Sequence, residues 1–234
     1  MQTDSQESSE LPLIKSNSPG RITRDKILLV EGQDEVKFFE TLLLHIGLRE
    51  QIQVIEVGGK DRFIRVFPVV LLRPDFDQVR AYGIIRDADT NHSATLDSIR
   101  GLLQKHNQPC PEHDRIFAAT DKLKVGIFIL PGNQETGMIE SLCLQTVANH
   151  PAMACVDSLM ACLPEHLEMK PESEARDSTK PYHPKNTEKA RLLAFLACLH
   201  EPTTSIGLAA QKGYWPFDHE ALSDLCNFLK KLAA

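Results

Sequence analysis

Short apolar runs alternate along the first two thirds of the chain with stretches whose apolar positions recur every three or four residues. Lys26-Ile-Leu-Leu-Val30 is apolar without alternation and bounded by polar residues, as expected of a strand buried on both faces of a parallel sheet. Val36, Phe39, Leu43 and Ile46 then repeat at helical spacing, which predicts a helix over Gln33 to Ile46 ended by Gly47. Gln53 to Val57 reads as a second strand, Gly58-Gly59 as a turn, and Lys60 to Leu72 as a second helix that stops before Pro74. Val79 to Arg86 is the third strand, and Thr90 or Asn91 can cap the helix carrying Leu96, Ile99, Leu102 and Leu103. Val125 to Leu130 is the fourth strand, broken by Pro131-Gly132, with a helix from about Gly137 to Val147 after it.

This order predicts an α/β fold, a Rossmannoid parallel sheet flanked by helices with right-handed crossovers. Past residue 150 the pattern becomes mostly helical, over Ala152 to Leu163, Thr187 to Leu199 and the stretch after Asp218. Asp218 is the expected N-cap of the last helix, with Phe217 and Leu222 as the two halves of a hydrophobic staple. Glu165 to Asn186, dense in Pro, Lys, Glu and Ser, reads as an exposed loop. Residues 1–24 have the Ser, Gln, Glu, Pro and Gly content of a mobile tail. Three parts are thus expected: a tail over 1–24, an α/β domain over 25–150, and a helical extension over 151–234 packed on the core.

Composition narrows the function. At 234 residues, with 42% hydrophobic and 25% charged residues, the chain can build one sizeable core. A net charge of −6 argues against a broad basic face that coats nucleic acid, because phosphate neutralisation needs clustered Lys and Arg. The apolar runs fall far short of the ~20 residues that span a bilayer, and the N-terminus lacks a basic segment followed by an apolar one. A cytoplasmic protein with no membrane partner is expected. The six cysteines sit among apolar neighbours without CxxC or zinc spacing and read as buried free thiols.

The chemistry is concentrated at strand ends. In an open α/β sheet, ligands bind beyond the carboxyl ends of the strands, where Glu31, Asp87 and Asp89 all fall. The Asp-x-Asp spacing lets both side chains face one side once strand gives way to loop, offering oxygen ligands to a hard divalent cation such as Mg²⁺. A single such pair is more often a loop with helix-capping acids; here a second strand delivers Glu31-Gly32 alongside it.

Val30-Glu31-Gly32-Gln33-Asp34-Glu35 followed by Asp87-Ala88-Asp89 resembles a Toprim domain, the family of topoisomerase, primase, recombination and OLD-type nuclease domains. The likeness spans about Lys26 to Val147. The resemblance implies that Glu31 acts as a general acid/base or metal ligand, and that Asp87 and Asp89 bind Mg²⁺, with Mn²⁺ as a substitute. Glu35 matches a second acid of OLD-type nucleases, against its plainer reading as a solvated acid near a helix N-terminus. Leu130 to Glu140 and Trp215 to Asp218 resemble small stand-alone Toprim-like proteins of undetermined activity, which makes Glu140 a further candidate ligand against simple helix N-terminal charge.

Lys189 and Lys185 lie where an OLD-type nuclease supplies a cation to the transition state, although the matching motif is weak. Lys60 follows two glycines without a P-loop pattern, and with Arg62 and Arg65 it forms a candidate basic patch. The function implied is a metal-dependent nuclease hydrolysing phosphodiester bonds of DNA or RNA. Alone it would bind nucleic acid weakly, and a separately encoded ATPase could be its partner. The rival readings are a nucleotidyl-transfer or primase-like enzyme, and a non-catalytic metal- or phosphate-binding module acting with a partner protein.

Overall fold

Four parallel strands carry the apolar runs read above, and their pairing fixes where the acids emerge. A computed structural model describes residues 21–132, 134–167 and 184–234. Its sheet has the order β2-β1-β3-β5-β4, with β1 at Lys26–Val30, β2 at Ile52–Glu56, β3 at Ala81–Asp87, β4 at Phe117–Ala119 and β5 at Lys124–Leu130. All pairs are parallel except β4 with β5. The antiparallel edge strand β4 was not expected: three residues of Phe-Ala-Ala are too short to show a period, and a β-hairpin with β5 makes the strand.

The alternation of side chains in each strand separates two cores. Leu28, Val30, Ile85, Phe128 and Leu130 face one layer, made by α1 (Gln33–His45), α4 (Ile139–Thr146), α5 (Ala152–Leu167), α6 (Thr187–Ala197), α7 (Ile206–Gln211) and α8 (Ser223–Ala233). Ile27, Leu29, Ile84, Ile127 and Ile129 face the other, made by α2 (Lys60–Leu71) and α3 (His92–Lys105). Strands buried on both faces are what the unalternating runs require. The expected α/β class therefore holds, with a mostly parallel sheet flanked by helices and further C-terminal helices.

Those C-terminal helices share the sheet's core. Phe228 of α8 lies between Phe117 and Phe128, with ring centroids 4.9 and 5.4 Å away. The carboxylate of Asp34, in the first turn of α1, accepts hydrogen bonds from the amides of Ile206 and Gly207 at 2.8 and 2.9 Å, and from the Ser205 hydroxyl. It thus caps α7 from another element. Gly207 makes this approach possible, since a Cβ there would collide with the Asp34 carbonyl oxygen and Lys37.

Several expectations need correction. Ile22 is fully buried and its amide donates to Asp75 at 2.7 Å, so residues 21–24 belong to the fold rather than to a tail; residues 1–20 lie outside the described residues. Asp218 caps no helix. It pairs with His45 at 2.9 Å, while His219 caps a 3₁₀ turn at Glu220–Leu222 that feeds α8. Phe217 and Leu222 are buried in the core without forming a staple around Asp218. The helix α5 runs on to Leu167, through the first residues of the expected loop; the loop's residues 168–183 lie outside the described residues. Cys143 is buried, whereas Cys155 and Cys198 are exposed because they sit on outer helix faces. No helix of the described residues is long and apolar enough to cross a membrane.

Candidate acidic site at the strand ends

Register places the acids. The strands β1 and β3 pair from Lys26 with Ala81 to Leu29 with Ile84, and β3 and β5 from Ala81 with Lys124 to Asp87 with Leu130. Three adjacent strands therefore end together. Glu31 follows β1, Asp87 closes β3, and the loop after β5 leads into α4, whose first turn carries Glu140.

Arg86, which the sequence reading passed over as the end of a strand, lies at the centre. It is 5% exposed, its Nε donates to Glu31 Oε1, and its guanidinium lies 5.1 Å over the ring of Phe63. One sequence signal pointed to it: a charged residue inside the run Tyr82-Gly-Ile-Ile-Arg86 needs a buried partner. Gly59 leaves room for that partner, because a Cβ there would stand 3.1 Å from Glu31 Oε2.

Each of the other acids has a distinct local setting. Glu35 sits in the first turn of α1, where its carboxylate accepts from the Glu31 amide at 2.7 Å. Burial raises its pKa from 4.5 to about 7, opposed by that amide and reinforced by the charges of Glu31 and Glu140. Asp87 Oδ1 accepts from the Ile139 amide at 3.0 Å, at the start of α4. Burial drives the Asp87 carboxyl well above the usual carboxylate range, and Glu35, Glu31 and Glu140 push it further. Glu140 is 8% exposed and is also raised by burial, with the nearby Lys189 acting against the shift. The Lys189 ammonium stands 3.9 Å from its carboxylate. On the same side Ser141 donates to Glu188, and Asn186 caps α6 by accepting from the Lys189 amide at 2.9 Å.

Glu31, Glu35, Asp87 and Glu140 thus feel one another's charge. Asp89 is set apart. Its backbone is left-handed, with φ 52°, and pairs with Gly137 through two hydrogen bonds of 2.8 and 2.9 Å. Its exposed side chain lines a cleft with Lys60 and Arg86, between α2 and α3. Asp87 and Asp89, expected on one side, therefore face different neighbours, because the bridge to Gly137 turns the chain between them. Among the described residues, no three His, Cys, Asp or Glu side chains are drawn close enough to hold an ion as they stand. Arg86 engages Glu31 and a backbone amide engages Glu35 instead.

The expected basic patch is dispersed. Arg62 pairs with Glu56 at 3.0 Å, Arg65 bonds the Asp61 carbonyl at 3.4 Å, and Lys60 alone of the three lines the cleft. Lys185 is exposed ahead of α6.

Fold and site together define an α/β protein whose acids gather beyond the carboxyl ends of a parallel sheet. The chain belongs to the family described as protein of unknown function (DUF3226), whose model matches residues 25–234. No curated protein matches it. Among solved structures it is similar to the C-terminal region of the Xanthomonas campestris pv. campestris OLD protein, at 13% identity and a TM-score of 0.41, over 90% of this chain and 97% of that one.

Proposed function

We propose that the chain is a metal-dependent nuclease of the Toprim kind, hydrolysing phosphodiester bonds in DNA or RNA with Mg²⁺ or Mn²⁺. The observation that carries this reading is the convergence of Glu31, Glu35, Asp87 and Glu140 from three adjacent strand ends, with burial and mutual repulsion raising the pKa of three of them. Acids perturbed by burial and by one another cluster at functional sites.

The donor set fits a hard cation, since every ligand is a carboxylate oxygen. Glu31, Glu35, Asp87 and Glu140 would hold it once Glu31 and Glu35 leave the Arg86 guanidinium and the Glu31 amide, while Asp89 lines the cleft with Lys60 and Arg86. When bound, such an ion lowers the pKa of water and polarises the phosphoryl oxygen. The chain's own groups do the rest. Arg86 pairs with the Glu31 carboxylate until an ion takes it, the Ile139 amide fixes one oxygen of Asp87, and Lys189 places a positive charge beside Glu140, where it can offset charge developing on a phosphate. With a net charge of −6, the chain alone would hold nucleic acid weakly and in a salt-sensitive way, so a partner such as a separately encoded ATPase would supply affinity.

The test is incubation of supercoiled plasmid, linear duplex, single-stranded DNA and RNA with Mg²⁺ or Mn²⁺, beside an Asp87→Asn, Asp89→Asn protein. Cleavage by the natural protein alone is the expected result. Absence of cleavage on every substrate, or equal cleavage by both proteins, refutes an autonomous nuclease at these acids.

A further inference from the structure

On the other side of Arg86 from the four clustered acids lies a cleft of about 130 Å³, bounded by Lys60, Asp89, Thr95 and Ser98 as well as Arg86 itself. Its volume equals that of about four waters, enough for a tetrahedral oxyanion. Arg86 is 5% exposed, and its Nε and one ring-like face are used by Glu31 and Phe63. Among the described residues, its two terminal nitrogens make no hydrogen bond, yet neither is sealed from solvent. A largely buried guanidinium that lines the cleft with four N–H donors unused by the described residues is placed to meet an acceptor there. The rest of the lining includes residues whose side chains carry what an oxyanion needs: Lys60 from the first turn of α2, and Thr95 and Ser98 from one face of α3.

We propose that this cleft is a phosphate subsite, which takes a phosphodiester group of the nucleic-acid strand adjacent to the one at the acids. Its assignment to a nucleic-acid strand rests on the nuclease reading; its affinity for phosphate does not. Guanidinium, ammonium and hydroxyl donors together match a phosphate's several acceptor oxygens. Asp89 is the one carboxylate on the rim, and its charge opposes an anion there. Substitution of Asp89 by a neutral residue therefore strengthens the subsite.

The test is a titration of the metal-free protein in EDTA with inorganic phosphate, against chloride at matched ionic strength, followed by amide NMR shifts. The expected result is saturable shifts at Lys60 and over Thr90 to Ser98, tightened several-fold by Asp89→Asn and weakened by about tenfold in a Lys60→Glu, Ser98→Glu protein. Both of those positions are exposed, so the double variant should fold. Absence of saturable shifts in both the natural protein and Asp89→Asn overturns the subsite, as does undiminished binding in the double variant. Loss of binding on Asp89→Asn also overturns it, because removing a negative charge from the rim cannot weaken an anion held by Arg86 and Lys60. The titration is metal-free and so independent of cleavage: phosphate binding here with no cleavage in the Mg²⁺ and Mn²⁺ assay would sink the nuclease reading and leave the subsite, and cleavage there without phosphate binding here would do the opposite.

Discussion

Glu35 offers the sharpest test of how the acids are held. Its pKa in the folded chain is about 7 against an ordinary 4.5. The folded state therefore keeps a proton that the unfolded chain releases, and stability present below pH 4.5 is lost as the pH rises toward 7. At 1.36 kcal/mol per unit the loss amounts to about 3 kcal/mol. Glu35→Gln removes the titration but keeps an oxygen to accept from the Glu31 and Gly32 amides. The variant should exceed the natural protein by about 1 kcal/mol at pH 5 and by about 3 kcal/mol at pH 8, the latter roughly 6–12 °C in Tm for a chain of this size. Urea denaturation at pH 5, 6, 7 and 8 in EDTA measures this directly. Parallel pH profiles for the two proteins, or a variant less stable at pH 8, would refute the account of Glu35 as a carboxyl held neutral by burial and its neighbours.

Other perturbations probe the remaining supports. Replacing Arg86 with Met leaves Glu31 without its cation beside three other acids, and should cost about 3 kcal/mol, the low end for one partner removed from a buried pair because Glu31 keeps some solvent; an unchanged urea midpoint at pH 7.5 would contradict it. Gly207→Ala should cost about 1–3 kcal/mol by forcing α7 off the Asp34 carbonyl, with amide exchange speeding first in α7. Phe228→Ala should cost about 3–5 kcal/mol, since this fully buried ring packs on Phe117 and Phe128; a loss under 1 kcal/mol would mean that α8 is not part of the sheet's core.

How much of this was legible in the sequence follows from the kind of interaction that fixes each element. The parallel strands and α1 to α3 are written in local apolar periodicity, and their bounds fall within two residues of the pattern. Asn91 was a readable cap because its carbonyl oxygen reaches Ala94 N, three residues on. The element α7 was not read: Ser205 caps it locally through the Leu208 amide, but six residues carry too little period, and the carboxylate that meets its next amides is Asp34, 171 residues away from Ser205 in the chain. The misplaced cap at Asp218 has the same origin, since a distant His45 takes the carboxylate that local rules assign to the helix. At the site, strand-end position was enough to bring Glu31, Asp87 and Glu140 to one sheet edge. Which way Asp89 faces was not legible, because that depends on its bridge to Gly137 across a loop.

The four clustered acids differ in how their charge is met, and the difference says which one matters most. Glu31 has the Arg86 guanidinium, Glu140 has the Lys189 ammonium, and Glu35 has a pKa of about 7 that leaves it partly protonated near neutrality. Asp87 has the Ile139 amide and no cation among the described residues, and its carboxyl is the one raised well above its ordinary range. Its ionised form is thus the least supported in the cluster and has the most to gain from an arriving cation. Asp87→Asn keeps an acceptor for the Ile139 amide while removing the charge, so it should raise stability in EDTA at pH 8 and, on the proposed metal reading, lack the stabilisation that Mg²⁺ is expected to give the natural protein. Thermal melts in EDTA and in Mg²⁺ separate the two effects. If the variant gains as much from Mg²⁺ as the natural protein does, the ion is held elsewhere and the strand-end acids are not its site.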